Sequence, residues 1–153
     1  MNLRDEIQQR RPFQSREQEA FLSIGRTWAL LDHALSEMLK PHGVTATQYN
    51  ALRILRGAKD VGLSRSEITE RMVARVPDAT RLLDRLERTG LIDRQRDPAD
   101  RRFVKARITG QGLALLDELD DGTQTLHREH LGCVSQEDLD TLIGLLARIR
   151  EAV

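Results

Sequence analysis

The chain has 153 residues, long enough for one well-buried domain or a small domain with an oligomerising extension, and its 24 basic and 24 acidic residues give a formal net charge of zero. That zero is unevenly made: residues 1–63 carry 9 basic and 7 acidic groups (+2), residues 64–108 carry 12 and 8 (+4), and residues 109–153 carry 3 and 9 (−6), so a polyanion would be met by the middle of the chain. A single cysteine, Cys133, excludes an internal disulfide and fits a reducing cytoplasm, while a polar opening and the lack of any apolar run near the ~18 residues needed to cross a bilayer argue against secretion and membrane insertion.

Residues 1–12 read as a polar arm closed by Pro12. A helix is expected over 15–40, because Phe21, Ile24, Trp28, Leu31, Leu35 and Met38 recur at spacings of 3, 4, 3, 4 and 3, the seam of a helix packed lengthwise on another. Pro41 and Gly43 end it. Thr45 and Gln48 have capping-box spacing and open a helix through Tyr49, Leu52, Ile54 and Leu55. Gly57 and Gly62 bracket a loop, after which Ser64 and Glu67 repeat the capping box at the head of SRSEITERMV. Pro77 suits a first helical position, with Asp78 beside the positive helix end.

The next helix has its apolar face at Ala79, Leu82, Leu83 and Leu86, the i, i+3, i+4, i+7 pattern. At roughly 100° per residue, Arg81, Arg85 and Arg88 fall on the opposite side. Asp84 is spaced to pair with Arg88 one turn on. Gly90 followed by Leu91 reads as a glycine stop with its hydrophobic clasp. Two short strands follow. Val104, Ala106 and Ile108 alternate with Phe103, Lys105 and Arg107, and Asp97-Pro98-Ala99-Asp100 supplies turn chemistry, which puts Arg101 and Arg102 at the hairpin tip. Thr109 caps a helix holding Leu113, Leu115, Leu116 and Leu119, interrupted at Gly122 or Gly132. Ser135, with Asp138 three residues on, opens a last helix whose Leu139, Leu142, Leu146, Ile149 and Val153 are again spaced 3, 4, 3 and 4.

Helix, turn, helix and arginine-tipped hairpin read as a winged helix-turn-helix inside a mainly α (α+β) chain. The expected organisation is an N-terminal arm and dimerisation helix over 1–43, a winged DNA-binding domain over 44–109 and C-terminal dimerisation helices over 110–153. A helix docked by one face and presenting arginines on the other can fill a major groove, and a wing-tip arginine can enter a narrow minor groove. Arg81 and Arg85 are the candidates for base edges or neighbouring phosphates, Thr80 for a phosphate or thymine methyl, and Ser64 and Arg65 join them at the DNA face. Of Arg101 and Arg102, one is expected in the groove, Arg102 by preference, while the other bonds Asp100 or Asp97 to hold the loop. The bland alternative for all of these arginines is a solvated mixed-charge surface. A winged domain alone does not need the two seams, whereas a dimer built from both chain ends does, through Phe21, Ile24, Leu139, Leu142, Leu146 and Ile149.

His127 and His130 have zinc-ligand spacing, but no cysteine or carboxylate cluster joins them, so no metal is expected. Cys133 reads as a small apolar residue rather than a sensor. There is no phosphate-binding glycine loop, zinc-protease helix or nucleophile elbow, so the chain reads as no enzyme and calls for no cofactor.

PHGVTATQYNALRIL at 41–55, GLSRSEITERM at 62–72, TRLLDRLERTGLIDR at 80–94, DPADRRFVKARIT at 97–109 and TGQGLALLDEL at 109–119 together resemble the MarR (multiple antibiotic resistance regulator) family of bacterial transcription factors. The resemblance spans residues 20–153 and rests on the order and spacing of these segments; Asp100, Arg101 and Arg102 match the core of that family's wing. It implies a homodimer on a palindromic operator, usually a repressor. Many members bind small, often aromatic or phenolic molecules between the dimer and DNA-binding regions and then release DNA. Trp28, His33 and Tyr49 are the candidate lining of such a pocket, although the seam position of Trp28 also suits plain core packing. Members that sense oxidants use a cysteine near the chain start; this chain departs there, since its cysteine is Cys133. Two further readings stay open: a winged DNA-binding protein with no ligand response, and a winged module that binds protein instead of DNA.

Overall fold

The structure, a computed structural model, describes residues 2–96 and 104–153. The expected turn at 97–100 and Arg101, Arg102 and Phe103 therefore lie outside the described residues. The elements are α1 (Leu3–Glu6), α2 (Arg16–Leu39), α3 (Ala46–Ala58), β1 (Leu63–Ser64), α4 (Arg65–Arg71), α5 (Ala79–Arg88), β2 (Ile92–Arg96), β3 (Val104–Ile108), α6 (Gly110–Leu131) and α7 (Gln136–Glu151), with 3-10 turns at Lys40–His42 and Lys59–Val61. The sheet has the order β1-β3-β2 and is antiparallel throughout, with Leu63 opposite Ala106 on one side and Arg94 opposite Ala106 on the other. This is a mainly α-helical winged helix-turn-helix fold with long flanking helices.

Most helix starts follow from local chemistry. Ser15, Thr45, Ser64, Thr109 and Ser135 each accept a hydrogen bond from a backbone N–H of the first turn, and Thr45 and Ser64 complete full capping boxes. The start of α5 differs from expectation. Asp78, not Pro77, is its boundary, because the Asp78 carboxylate accepts from the Arg81 amide at 2.9 Å and so takes the N-cap place, leaving Pro77 outside. α5 stops as expected: Gly90 turns left-handed at φ 74°, its N–H donates to the Glu87 carbonyl at 2.9 Å, and Leu91 N–H donates to Leu86 at 3.0 Å. The arm is not featureless, since Asn2 caps the single helical turn of α1. Gly122 lies inside α6, which continues to Gly132.

The core is formed mainly by the winged unit and what leans on it. Leu39, Leu52, Leu55, Leu86 and Leu116 are fully buried, with Ile68, Leu83, Ala106 and Leu119 almost so. α2 packs on α3 and α6, and α6 leaves the sheet at close quarters. A Cβ on Gly112 would stand 2.3 Å from the Leu91 carbonyl oxygen and 2.7 Å from Ile108 Cγ1, so only glycine permits that approach. By contrast α7 buries no residue at all. No helix among the described residues is long and apolar enough to cross a membrane.

One polar tie joins the winged unit to α6. Arg56 Nη1 and Nη2 donate to the two Asp120 carboxylate oxygens at 2.8 and 2.9 Å, and Asp117 stands 3.6 Å from Nη1. The hydrogen bond from Arg56 holds the Asp120 carboxyl below its ordinary range, with the guanidinium charge adding to the effect. A depressed carboxyl stabilises the fold above its unfolded pKa, about 3.9, and that stabilisation is lost as pH falls through the lower folded value. The pair is partly exposed, so Asp120→Asn is expected to cost about 0.5–1 kcal/mol near neutral pH. Urea unfolding of both proteins checks this: the difference should shrink as the medium is taken below about pH 4.

Candidate nucleic-acid interface

α5 is held by Leu83 and Leu86, both buried, with Leu82 packed against the same core. Its far side carries Arg81, Arg85 and Arg88, all exposed and none in an ion pair among the described residues. Thr80, Asp84 and Glu87 lie on the flank between those two faces. An exposed α-helix with three unpaired guanidinium groups on one side matches the width and charge of a DNA major groove.

The neighbouring candidates converge on the head of this helix. Arg65, first residue of α4, donates from Nη1 to Thr80 Oγ1 at 2.8 Å, which ties the starts of the two helices together. Ser64 sits just before it, but its hydroxyl is engaged: it donates to Glu67 Oε2 at 2.7 Å and accepts from the Glu67 amide at 3.3 Å. The Ser64 backbone N–H, which donates to Glu67 Oε2 at 2.8 Å, and the Ser64 hydroxyl after it hold the Glu67 carboxyl below its ordinary range.

The expected Asp84–Arg88 pair does not form. Asp84 accepts from Arg94 Nη2 at 2.6 Å, and Glu87 accepts from Arg94 Nε at 2.9 Å and from Nη2 at 2.5 Å. Arg94 belongs to β2, so the nearer partner comes from the wing and not from the next helical turn. The Arg94 hydrogen bond depresses the Glu87 carboxyl, and both carboxylates raise Arg94. Sequence spacing gave no sign of this clamp, because it depends on how the hairpin folds back.

The dimerisation candidates are displayed rather than packed. Phe21 is 77 % exposed, and Ile24, Leu142 and Ile149 are between 41 and 48 % exposed; Leu139 and Leu146 are half-buried. Ile143 and Leu145, absent from the predicted seam, are exposed on the same helix.

A cleft of about 460 Å³ opens between α2, α3 and the segment that links α4 to α5. Trp28, Asp32 and Leu35 wall it from α2, Tyr49, Asn50 and Arg53 from α3, and Met72, Val73 and Ala74 from the link. Arg53 Nη1 donates to Tyr49 Oη at 3.2 Å, and its guanidinium stands 5.8 Å from the ring centroid. Trp28 and Tyr49 are thus brought together, whereas His33 is exposed and takes no part in the wall. Asp32 and Arg53 were not anticipated, though each lies four residues after Trp28 or Tyr49 and so shares its helix face.

Cys133 is exposed, with its Sγ 3.8 Å from the His130 carbonyl oxygen. His130 Nδ1 lies 2.9 Å from the Leu126 carbonyl, and no group of His, Cys, Asp and Glu among the described residues is arranged to hold a metal ion.

The MarR family model matches residues 44–104, the winged unit. A solved MarR transcription factor from Planctomyces limnophilus is 36 % identical, with 89 % of this chain and 98 % of that one covered and a TM-score of 0.68. A cysteine-to-serine variant of E. coli MarR, solved in complex with operator DNA, is 26 % identical over 97 % of this chain and 99 % of its own, with a TM-score of 0.78. Among curated relatives, the HTH-type transcriptional regulator PecS of Dickeya dadantii is 29 % identical over 131 residues, which is 84 % of this chain and 78 % of that protein. With the arginine face of α5, the three-stranded wing and these likenesses in hand, the chain is placed: it belongs to the MarR family of DNA-binding transcriptional regulators.

Proposed function

We propose that the protein is a homodimeric repressor that sits on a palindromic operator and leaves it when a small, aromatic molecule enters the cleft between α2, α3 and the α4–α5 link. In this reading Arg81 and Arg85 reach base edges or adjacent phosphates, Thr80, Arg65 and Ser64 contact backbone, and Arg101 or Arg102 enters the minor groove. Phe21, Ile24, Leu139, Leu142, Leu146 and Ile149 meet their counterparts in a second copy. The domains follow: 1–43 and 110–153 for dimerisation, 44–109 for DNA.

The observation that carries the ligand response is where the cleft lies. Its floor includes Met72, Val73 and Ala74, the link that leads into α5, and that link is tied to α3 by a bond from Val73 N–H to Asn50 Oδ1 at 2.9 Å, with Met72 packed against the core. An occupant wedged between Trp28, Tyr49 and this link acts on the helix that reads DNA. Arg53 and the aromatic rings suit a planar, anionic or phenolic ligand. A thermal-shift screen of aromatic acids and phenols, with hits retested for release of duplex DNA, checks it. A hit is expected to raise the melting temperature and to release DNA, and Arg53→Ala is expected to remove both effects together. Ligand-free behaviour across the screen favours the variant reading in which the protein binds DNA without a small-molecule signal.

A further inference from the structure

Arg94 of β2 is tied to α5 by three hydrogen bonds. Its Nε and both hydrogens of Nη2 are directed at Asp84 and Glu87, so three of the five guanidinium donors face carboxylates of α5. Its side chain is 26 % exposed, against 41 % for Asp84 and 38 % for Glu87. Beside the clamp, a cleft of about 240 Å³ walled by Arg65, Thr80, Leu83, Arg94, Val104 and Ala106 opens between the head of α5 and the wing, while Leu86 and Ile92 join the two deeper in the core. The two carboxylates stand on the helix flank next to the arginine face, where an unpaired negative charge would be turned toward DNA phosphates.

We propose that Arg94 is a positioning residue for sequence reading: it sets the angle of α5 to the wing and holds Asp84 and Glu87 away from the phosphates, without touching DNA itself. This rests on the assignment of α5 to the major groove. The fork of the guanidinium matters as well as its charge, because it holds two carboxylates one helical turn apart against a single β2 position.

The test uses the full-length protein and the duplex it selects from a random-sequence pool. Affinity is measured for that duplex and for a random duplex of equal length, with circular dichroism and melting temperature recorded for each variant. Arg94→Ala is expected to lower the ratio of selected to random affinity about tenfold, the order of one lost base contact. The double substitution Asp84→Asn with Glu87→Gln removes two negative charges per subunit, yet it is expected to lower the same ratio, with random binding equal or tighter. A phosphate-contacting Arg94 gives the opposite pattern: Arg94→Ala weakens both duplexes equally and the double substitution tightens both, which overturns the proposal. A lower melting temperature with an unchanged ratio also overturns it, since it leaves Arg94 a stabiliser of the fold only. If Arg94→Ala lowers folded content, the double substitution decides. Arg85→Ala on the same duplexes separates the two layers of argument. A ratio that falls for Arg85→Ala but not for the clamp variants sinks the Arg94 proposal alone. A ratio that survives Arg85→Ala sinks the groove assignment, and the proposal with it.

Discussion

Replacing Arg81 or Arg85 with alanine is expected to weaken operator binding by at least about 30-fold while leaving the fold intact. A lost bidentate base contact costs about 1–3 kcal/mol, and a symmetric dimer loses it twice, so about 2–6 kcal/mol per dimer is at stake. Neither guanidinium has an internal partner among the described residues, and both stand on the side of α5 away from Leu83 and Leu86. Stability should therefore change by less than about 0.5 kcal/mol, the usual range for such surface changes, and alanine favours the helix. The salt series distinguishes the kind of contact. A lost phosphate contact flattens the slope of log affinity against log salt by about one unit per contact, whereas a lost base contact lowers affinity on the chosen sequence with the slope retained. Unchanged affinity for both variants, with normal circular dichroism, would remove α5 from the groove.

The charge pattern of residues 64–108 located this face but could not sort its members. The segment carries 12 basic groups, and sequence alone treats them alike. In the fold, Arg94 is clamped to Asp84 and Glu87, and Arg107 donates from Nε to the Asp60 carbonyl at 2.8 Å, so both are turned to internal work, while Arg81, Arg85 and Arg88 are left to solvent. What separates them is tertiary. The partners of Arg94 come from another element, and Asp60 lies far back in the chain. The Arg56–Asp120 tie is hidden for the same reason, across a separation of 64 residues.

Features set by near neighbours were legible. The capping boxes at Thr45 and Ser64 and the glycine stop at Gly90 each depend on residues within one or two turns, and each stands where spacing put it. The start of α5 slipped by two residues because Pro77 and Asp78 are both good starters, and only the bond from the Arg81 amide to Asp78 decides between them. β1 went unseen because two residues carry no period; Leu63 and Ser64 become a strand only by pairing with Ala106 and Lys105. Of the pocket candidates, Trp28 and Tyr49 shared a cleft, and His33 did not, since it lies on the outward side of α2.

The same separation of local from tertiary governs α7, and it leads to the second large effect. Its 16 residues form a well-capped helix that buries none of its own side chains, though Leu142, Ile143, Leu145 and Ile149 are all at least 41 % exposed. A helix of this length is marginal in water without packing on its apolar face. Phe21 and Ile24 near the head of α2 are open as well, so both chain ends display apolar surface at once. In the proposed homodimer a second copy, with the same two faces, covers both under twofold symmetry. Leu142→Glu with Leu146→Glu is expected to turn the protein into monomers, because burying an unpaired carboxylate costs several kcal/mol whereas leaving it exposed on a separate chain costs little. The core around Leu52, Leu86 and Leu116 lies elsewhere, so each monomer should keep its winged unit. Operator affinity is expected to fall by roughly 10²–10⁴, the advantage lost when two half-sites are no longer bound by linked modules. Sedimentation at micromolar concentration reads the first effect and duplex titration the second. A wild-type monomer, or a double variant that stays dimeric, would break the link drawn here between the exposed seams and operator binding.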